Sequence, residues 1–180
     1  MLLRTARAFV AASVAALALT GLHSGTATAA PQPQAAAART IYYNASGAAE
    51  FRSAVDQGAA IWNSRVTTVR FVAGSPANVT IVADDGWPRA QTTSLGNGRV
   101  WMGRQATNQG YAPVRIASHE LGHILGLPDR KPGPCTSLMS GSSAGVACTN
   151  PNPNAAEIAE VNANFGGGRT VLDWQREFVG

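Results

Sequence analysis

The stretch Ser118-His119-Glu120-Leu121-Gly122-His123-Ile124-Leu125-Gly126-Leu127-Pro128-Asp129 decides how the rest of the chain is read. It contains H-E-x-x-H-x-x-G-x-x-D, formed by His119, Glu120, His123, Gly126 and Asp129. On an α-helix, residues four apart lie one above the other on the same face, so His119 and His123 can turn an imidazole nitrogen each toward one point. Glu120 sits beside them, where it can hold and deprotonate a water bound to the same ion. This spacing is associated with metal-assisted peptide hydrolysis. Two packed histidines and a solvated Glu120–His123 pair would imitate it only if five positions matched by coincidence.

The added positions have mechanical roles. A helix that supplies two ligands must stop and turn back before the following residues can supply a third. Gly126 can take the left-handed conformation that ends a helix without steric cost, and Pro128 prevents the helix from resuming. The chain has three histidines, and His23 falls in the leader described next, so no third imidazole remains. Asp129 stands where the returning chain would meet the metal, and a carboxylate oxygen is an ordinary zinc ligand. Three protein ligands and one water make a catalytic site rather than a structural one.

Upstream, Met1 to Ala29 has the form of a secretory signal peptide: Arg4 and Arg7, an apolar run from Ala8 to Leu22, and the small residues Ala27-Thr28-Ala29 at the cleavage site. The run is too short and too rich in alanine to favour a membrane span. Residues 30–39 read as a short pro-segment or linker. From Thr40 onward about 140 residues remain, enough for one domain with a real core. Three of the fourteen basic residues, Arg4, Arg7 and Arg39, precede Thr40 and all ten acids follow it, so the formal charge falls from +4 to +1. No basic patch asks for nucleic acid, and the expected state is a secreted monomer. The two cysteines, Cys135 and Cys148, leave the reducing cytosol with the chain and are expected as a disulfide, which should stabilise the fold by roughly 3 kcal/mol.

The remaining pattern is α+β. Strands are predicted at Thr40–Tyr43, Val69–Val72 and Val79–Ala83, with Asn44–Gly47 as a turn. Phe51, Val55, Ala59, Trp62 and Val66 form one apolar face of a helix from Ala48 to about Val66. Asp84-Asp85-Gly86 reads as an acidic turn, because it lacks the oxygen spacing of a calcium loop. Asn97-Gly98 signals a hairpin with Arg99–Met102 returning, and Trp87–Leu95 is either a substrate-pairing strand or an ordinary edge strand. Arg115–Leu125 is the motif helix, entered at Pro113. Asn154 and Glu157 form a capping-box pattern before a last helix that ends at Gly166-Gly167-Gly168. Arg169–Gly180 is a short packed helix or a tail.

H-E-L-G-H-I-L-G-L-P-D, followed by Met139 in S-L-M-S-G, resembles the metzincin arrangement of extended zinc motif plus methionine turn. With aspartate as third ligand and the segments I-W-N-S, G-P-C and C-T-N-P-N-P-N-A, the chain is similar from Thr40 to about Phe165 to the snapalysin family of small secreted neutral zinc proteases. The resemblance implies a single α+β domain at residues 40–168, with a mixed five-stranded sheet over an active-site helix and a second long helix packed on it. It implies one catalytic Zn2+ on His119, His123 and Asp129, with Glu120 as general base and Met139 as a hydrophobic floor. It further implies the Cys135–Cys148 bridge and cleavage of protein or peptide substrates on the amino side of aromatic residues. Family members can carry a calcium site just before the zinc helix, but here the stretch is Ala112-Pro113-Val114, which makes Ca2+ doubtful. Lys131 stands where the family tends to have an aromatic residue, and residues 169–180 have no obvious counterpart. The alternatives are a zinc hydrolase acting on cell-wall peptides and a catalytically silent zinc-bearing binding protein.

Overall fold

The structure, a computed structural model, describes residues 37–167 and the backbone of Arg176–Val179. The expected leader, Met1–Ala29, and most of the expected linker lie outside the described residues. No helix among the described residues is long and apolar enough to cross a membrane.

Strand β1 (Arg39–Gly47) opens the fold and is followed by a short 3-10 turn (Ala49–Phe51) and helix α1 (Arg52–Arg65). Strand β2 (Val69–Ala73) then pairs parallel to β1, so α1 is the crossover of a βαβ unit. The predicted stripe on α1 is the buried one: Phe51, Val55, Ala59, Trp62 and Val66 all lie in the core. Asn44–Gly47 is not the predicted turn but the end of β1. The turn chemistry is real, because Asn44 Oδ1 accepts from the Ser46 N–H, yet it produces a register shift against the neighbouring strand instead of ending pairing.

Strand β3 (Val79–Asp84) runs parallel to β1 and to β5 (Asn97–Gly103), and β4 (Arg89–Ser94) is antiparallel to β5. This is the mixed five-stranded sheet that the resemblance implies. The hairpin turn sits at Leu95–Gly96 and not at Asn97-Gly98, since Ser94 pairs with Asn97. Gly96 takes φ +81° and its N–H donates to the Ile124 carbonyl, while the Asn97 amide bonds back to Ser94 Oγ and the Leu95 carbonyl. Asn97 therefore braces the turn from its flank, and the left-handed position falls to the preceding glycine.

A sixth strand, β6 (Arg176–Val179), pairs antiparallel with the outer edge of β4, giving the order β2-β1-β3-β5-β4-β6. The tail is thus neither of the two expected forms over these residues. The backbone groups along the free edge of β4 give an extended segment something to pair with.

Alternate residues of the sheet are buried: Ile41, Tyr43, Phe71, Val79, Ile81, Ala90, Val100 and Met102 face a common core. Covering that face are α1 and α3 (Pro113–Ile124), with the short α2 (Arg104–Asn108) between β5 and α3. Gly58 of α1 lets the two helices touch, because a Cβ there would lie 3.0 Å from the Ser118 nitrogen. Trp62, fully buried, donates its indole N–H to the Ser118 carbonyl at 2.8 Å. The residue before His119 is thereby tied to the middle of the core. Helix α4 (Ala155–Phe165) closes the domain with the predicted capping box at Asn154 and Glu157.

Candidate metal centre and its cleft

Pro113 occupies the first turn of α3, where its missing N–H costs nothing. The helix stops at Ile124, and Gly126 adopts φ +91° while the Leu127 N–H reaches back to the Gly122 carbonyl at 3.0 Å. This is the glycine-ended helix expected from the sequence, and it swings Asp129 back toward the histidines.

His119 and His123 are buried, as is Glu120. His119 Nδ1 lies 3.0 Å from the Leu138 carbonyl and His123 Nδ1 lies 2.8 Å from the Leu127 carbonyl. A carbonyl only accepts, so both Nδ1 atoms carry the proton and both Nε2 atoms present lone pairs. Those Nε2 atoms are 3.1 Å apart, and Asp129 Oδ1 lies 3.3 Å from the first and 3.6 Å from the second. Ligands about 2.0–2.1 Å from one tetrahedral ion stand about 3.3–3.4 Å from one another. Three donor atoms at that mutual spacing fit a metal ion, and the three residues together could hold one.

Burial pushes the His123 imidazole down to about 3, and the adjacent His119 adds to the effect. His119 is also opposed by burial, but its contact with Asp129 and the charge of Glu120 outweigh this and raise it. The Asp129 carboxyl, despite partial burial, is lowered by His119, His123 and Lys131; Lys131 Nζ is 3.5 Å from its Oδ2. Burial pushes the Glu120 carboxyl up to about 7 against the pull of His119. Among the described residues, both Glu120 oxygens and Asp129 Oδ1 are buried with no hydrogen-bond partner. Buried oxygens left this way are costly unless a cation or a water meets them.

Below the cluster, a 3-10 segment (Leu138–Ala144) forms a floor. Met139 is fully buried, and a Cβ on Gly122 would meet its sulfur at 2.7 Å, so Gly122 is what lets the methionine lie directly against α3. Cys135 and Cys148 are joined by a disulfide around this floor.

Two residues that sequence reading did not assign to the site hold the floor in place. Glu157, fully buried, accepts from Ser137 Oγ, Leu138 N, Met139 N and Asn154 N. The segment whose Leu138 carbonyl orients His119 is therefore suspended from one carboxylate. Arg115 donates to the Ser137, Leu138 and Asn150 carbonyls and to Ser140 Oγ. The sequence carried a signal for each. Arg115 is one turn ahead of His119 on the same face of a helix otherwise buried there, and a charged residue on a buried face needs partners. Glu157 was visible as a capping residue, and that role concealed the second one.

Beside Glu120 a cavity is lined by Trp87, Pro88, Ala106, Tyr111, Ile116 and Gly141. Trp87 and Tyr111 pack edge to face with centroids 5.7 Å apart. Trp87 and Pro88 form its rim and belong to the turn that runs from Asp84 into the start of β4. Asp84 pairs with Arg89 at 2.6 Å and Asp85 with Arg104 at 2.8 Å, while the Arg89 guanidinium lies 4.5 Å from the Trp101 ring centroid. The acidic turn expected at Asp84-Asp85-Gly86 is held by these pairs and by the Gly86 N–H donating to Asp84 Oδ1.

Residues 38–168 match the profile of the family described as Streptomyces extracellular neutral proteinase (M7). The chain is 42% identical over 142 residues to a protein named extracellular small neutral protease from Streptomyces sp. (strain C5), covering 77% of this chain and 62% of that one. It is 43% identical over 136 residues to the protein of the same name from Streptomyces lividans, covering 74% and 60%. For the Streptomyces caespitosus protein of that name the figures are 42% over 131 residues, 72% of this chain and 98% of the relative. The match thus spans about three fifths of the first two relatives and nearly all of the third. A methionine floor, a glycine-ended helix and two backbone-oriented histidines sit inside the matched region, and the chain belongs to the Streptomyces extracellular neutral proteinase (M7) family.

Proposed function

We propose that the chain is a secreted zinc endopeptidase whose single catalytic ion is held by His119, His123 and Asp129. The observation that carries this reading is the pairing of a convergent two-nitrogen, one-oxygen donor set with a buried, partnerless Glu120 beside it. Two imidazoles and a carboxylate suit zinc, and three protein ligands leave a position open for chemistry. When bound, zinc supplies Lewis acidity and brings the pKa of a bound water from about 15.7 toward roughly 7.

Glu120 takes a proton from the attacking water at a carboxylate oxygen. The water oxygen bonds to the scissile carbonyl carbon, and Glu120 then delivers the same proton to the departing amide nitrogen, so nothing else has to be supplied. The backbone carbonyls of Leu138 and Leu127 keep both histidines facing the centre throughout. The apolar cavity of Trp87, Pro88, Tyr111 and Ile116 would seat an aromatic side chain on the far side of the broken bond, which supports cleavage on the amino side of aromatic residues. The outer edge of β4 starts at this cavity and offers backbone groups to an extended peptide.

The test is hydrolysis of casein by wild type and Glu120→Ala at equal zinc content. Loss of a general base should lower kcat about 10²–10⁴-fold while zinc stays bound. If wild type holds zinc and leaves casein intact, the endopeptidase reading is wrong, and cell-wall peptides become the substrate to try.

A further inference from the structure

We propose that β6 is a tethered occupant of the peptide-accepting edge of β4, competing with substrate for it. The proposal rests on the peptidase reading above and adds a component that the family match does not contain, because the match ends at residue 168.

The register carries the argument. β6 pairs Arg176 with Thr92, Glu177 with Gln91, Phe178 with Ala90 and Val179 with Arg89. It is the terminal strand of the sheet, hydrogen-bonded to β4 alone. Its direction is the second observation. Progress from Arg176 to Val179 is progress along β4 from Thr92 back to Arg89, and the two residues before Arg89, Pro88 and Trp87, line the cavity that also contains His119 and Glu120. A substrate that pairs antiparallel with β4 and continues across Glu120 must enter along the same edge in the same direction. β6 and such a substrate need the same backbone N–H and C=O groups, so they exclude each other.

The domain does not need β6 in order to close. The Streptomyces caespitosus relative is matched over 98% of its length by 131 residues of this chain, and the sheet face that meets the core is complete with β1 to β5. A strand of four residues makes few ladder bonds, so its hold is weak enough to be displaced. The tether compensates for that. A segment attached through residues 168–175 competes at an effective concentration in the millimolar range, so an intrinsic affinity of about 0.1–1 mM raises the apparent KM about two- to tenfold. A purely protective role, covering an edge against pairing between molecules, predicts no such competition.

Two changes release β6. In the full chain, Glu177→Pro together with Phe178→Pro removes N–H donors that the ladder needs, without shortening the protein. A chain stopped at Gly168 removes the strand altogether. Both should cleave a casein-derived peptide with KM lowered about two- to tenfold and kcat within about twofold of wild type. The synthetic peptide of residues 169–180 should restore the higher KM competitively in the stopped chain. A second readout does not depend on turnover: amide hydrogen exchange along Arg89–Ser94 should be slow in wild type and faster in both altered chains. Equal KM values for all three proteins, or β4 exchange that does not change on removing β6, overturn the proposal. If all three proteins are inactive yet β4 is protected only in wild type, the pairing stands, and the peptidase reading is what has failed.

Discussion

The floor and the rim of the cleft are built by opposite means. The floor, Leu138–Ala144, hangs from charged groups removed from water: Glu157 accepts four hydrogen bonds and Arg115 donates to three carbonyls and a hydroxyl. The rim, from Asp84 to the start of β4, is held by ion pairs that solvent reaches, Asp84–Arg89, Asp85–Arg104 and Glu50–Arg104. Buried charge-assisted hydrogen bonds are strong and unforgiving, whereas exposed pairs are screened and worth little. The side that orients His119 is held by buried charge, and the side at the mouth of the cavity is held by pairs open to solvent.

The largest effect should come from the floor. Glu157→Ala leaves the Leu138 and Met139 N–H groups and the Ser137 hydroxyl without their acceptor, and at about 1–3 kcal/mol for each orphaned donor, offset by some relaxation, the loss should be about 3–4 kcal/mol. Urea unfolding measures it. Zinc affinity should fall in the same variant, because the Leu138 carbonyl would no longer fix His119. A variant that unfolds at the wild-type midpoint would erase the contrast between floor and rim.

Gly122→Ala sharpens it from the other side of the same contact. The new methyl would lie 2.7 Å from the Met139 sulfur and 3.2 Å from the Trp62 ring. Overpacking of this kind costs about 1–3 kcal/mol. Pairing it with Met139→Ala should recover part of the loss if the sulfur is the obstacle, and a double-mutant cycle in urea reads that recovery.

The rim should respond least, and through pH. Asp84 is held below the usual carboxylate range chiefly by its hydrogen bond to Arg89. A lowered folded value means that this stabilisation is fully present above the unfolded value, about 3.9, and is lost as pH falls through the folded one. Asp84→Asn should therefore give a small loss near pH 7 that shrinks as pH falls below the unfolded value and through the folded one. A loss at pH 7 as large as that of Glu157→Ala would show the rim to be as rigid as the floor.

What could be read from the sequence follows the range of the interactions involved. The convergence of His119, His123 and Asp129 was legible because helix geometry, the glycine stop at Gly126 and the return to Asp129 all operate within a dozen residues. The face of α1 and the capping box of α4 were legible for the same reason. The hairpin was placed two residues late, since Asn97-Gly98 carries the stronger local signal and the choice of Leu95–Gly96 depends on the Ile124 carbonyl far along the chain. The extension of β1 through Gly47 was hidden by a turn-like composition that the neighbouring strand accommodates as an irregularity. Glu157 holding the floor, Arg115 beneath it and β6 on β4 are contacts across long separations, for which no local period exists.

The bridge between Cys135 and Cys148 has a consequence for how the site recovers from damage. Local opening spreads along a chain until something stops it, and the floor lies wholly inside the closed ring between these cysteines. If Leu138 and Met139 lose their hold on Glu157, the loosened segment still has fixed ends and a fixed length. It cannot slide in register or exchange with a neighbouring molecule, and it recloses where it opened. The covalent ring thus gives the most exacting part of the candidate metal centre a memory of its own alignment.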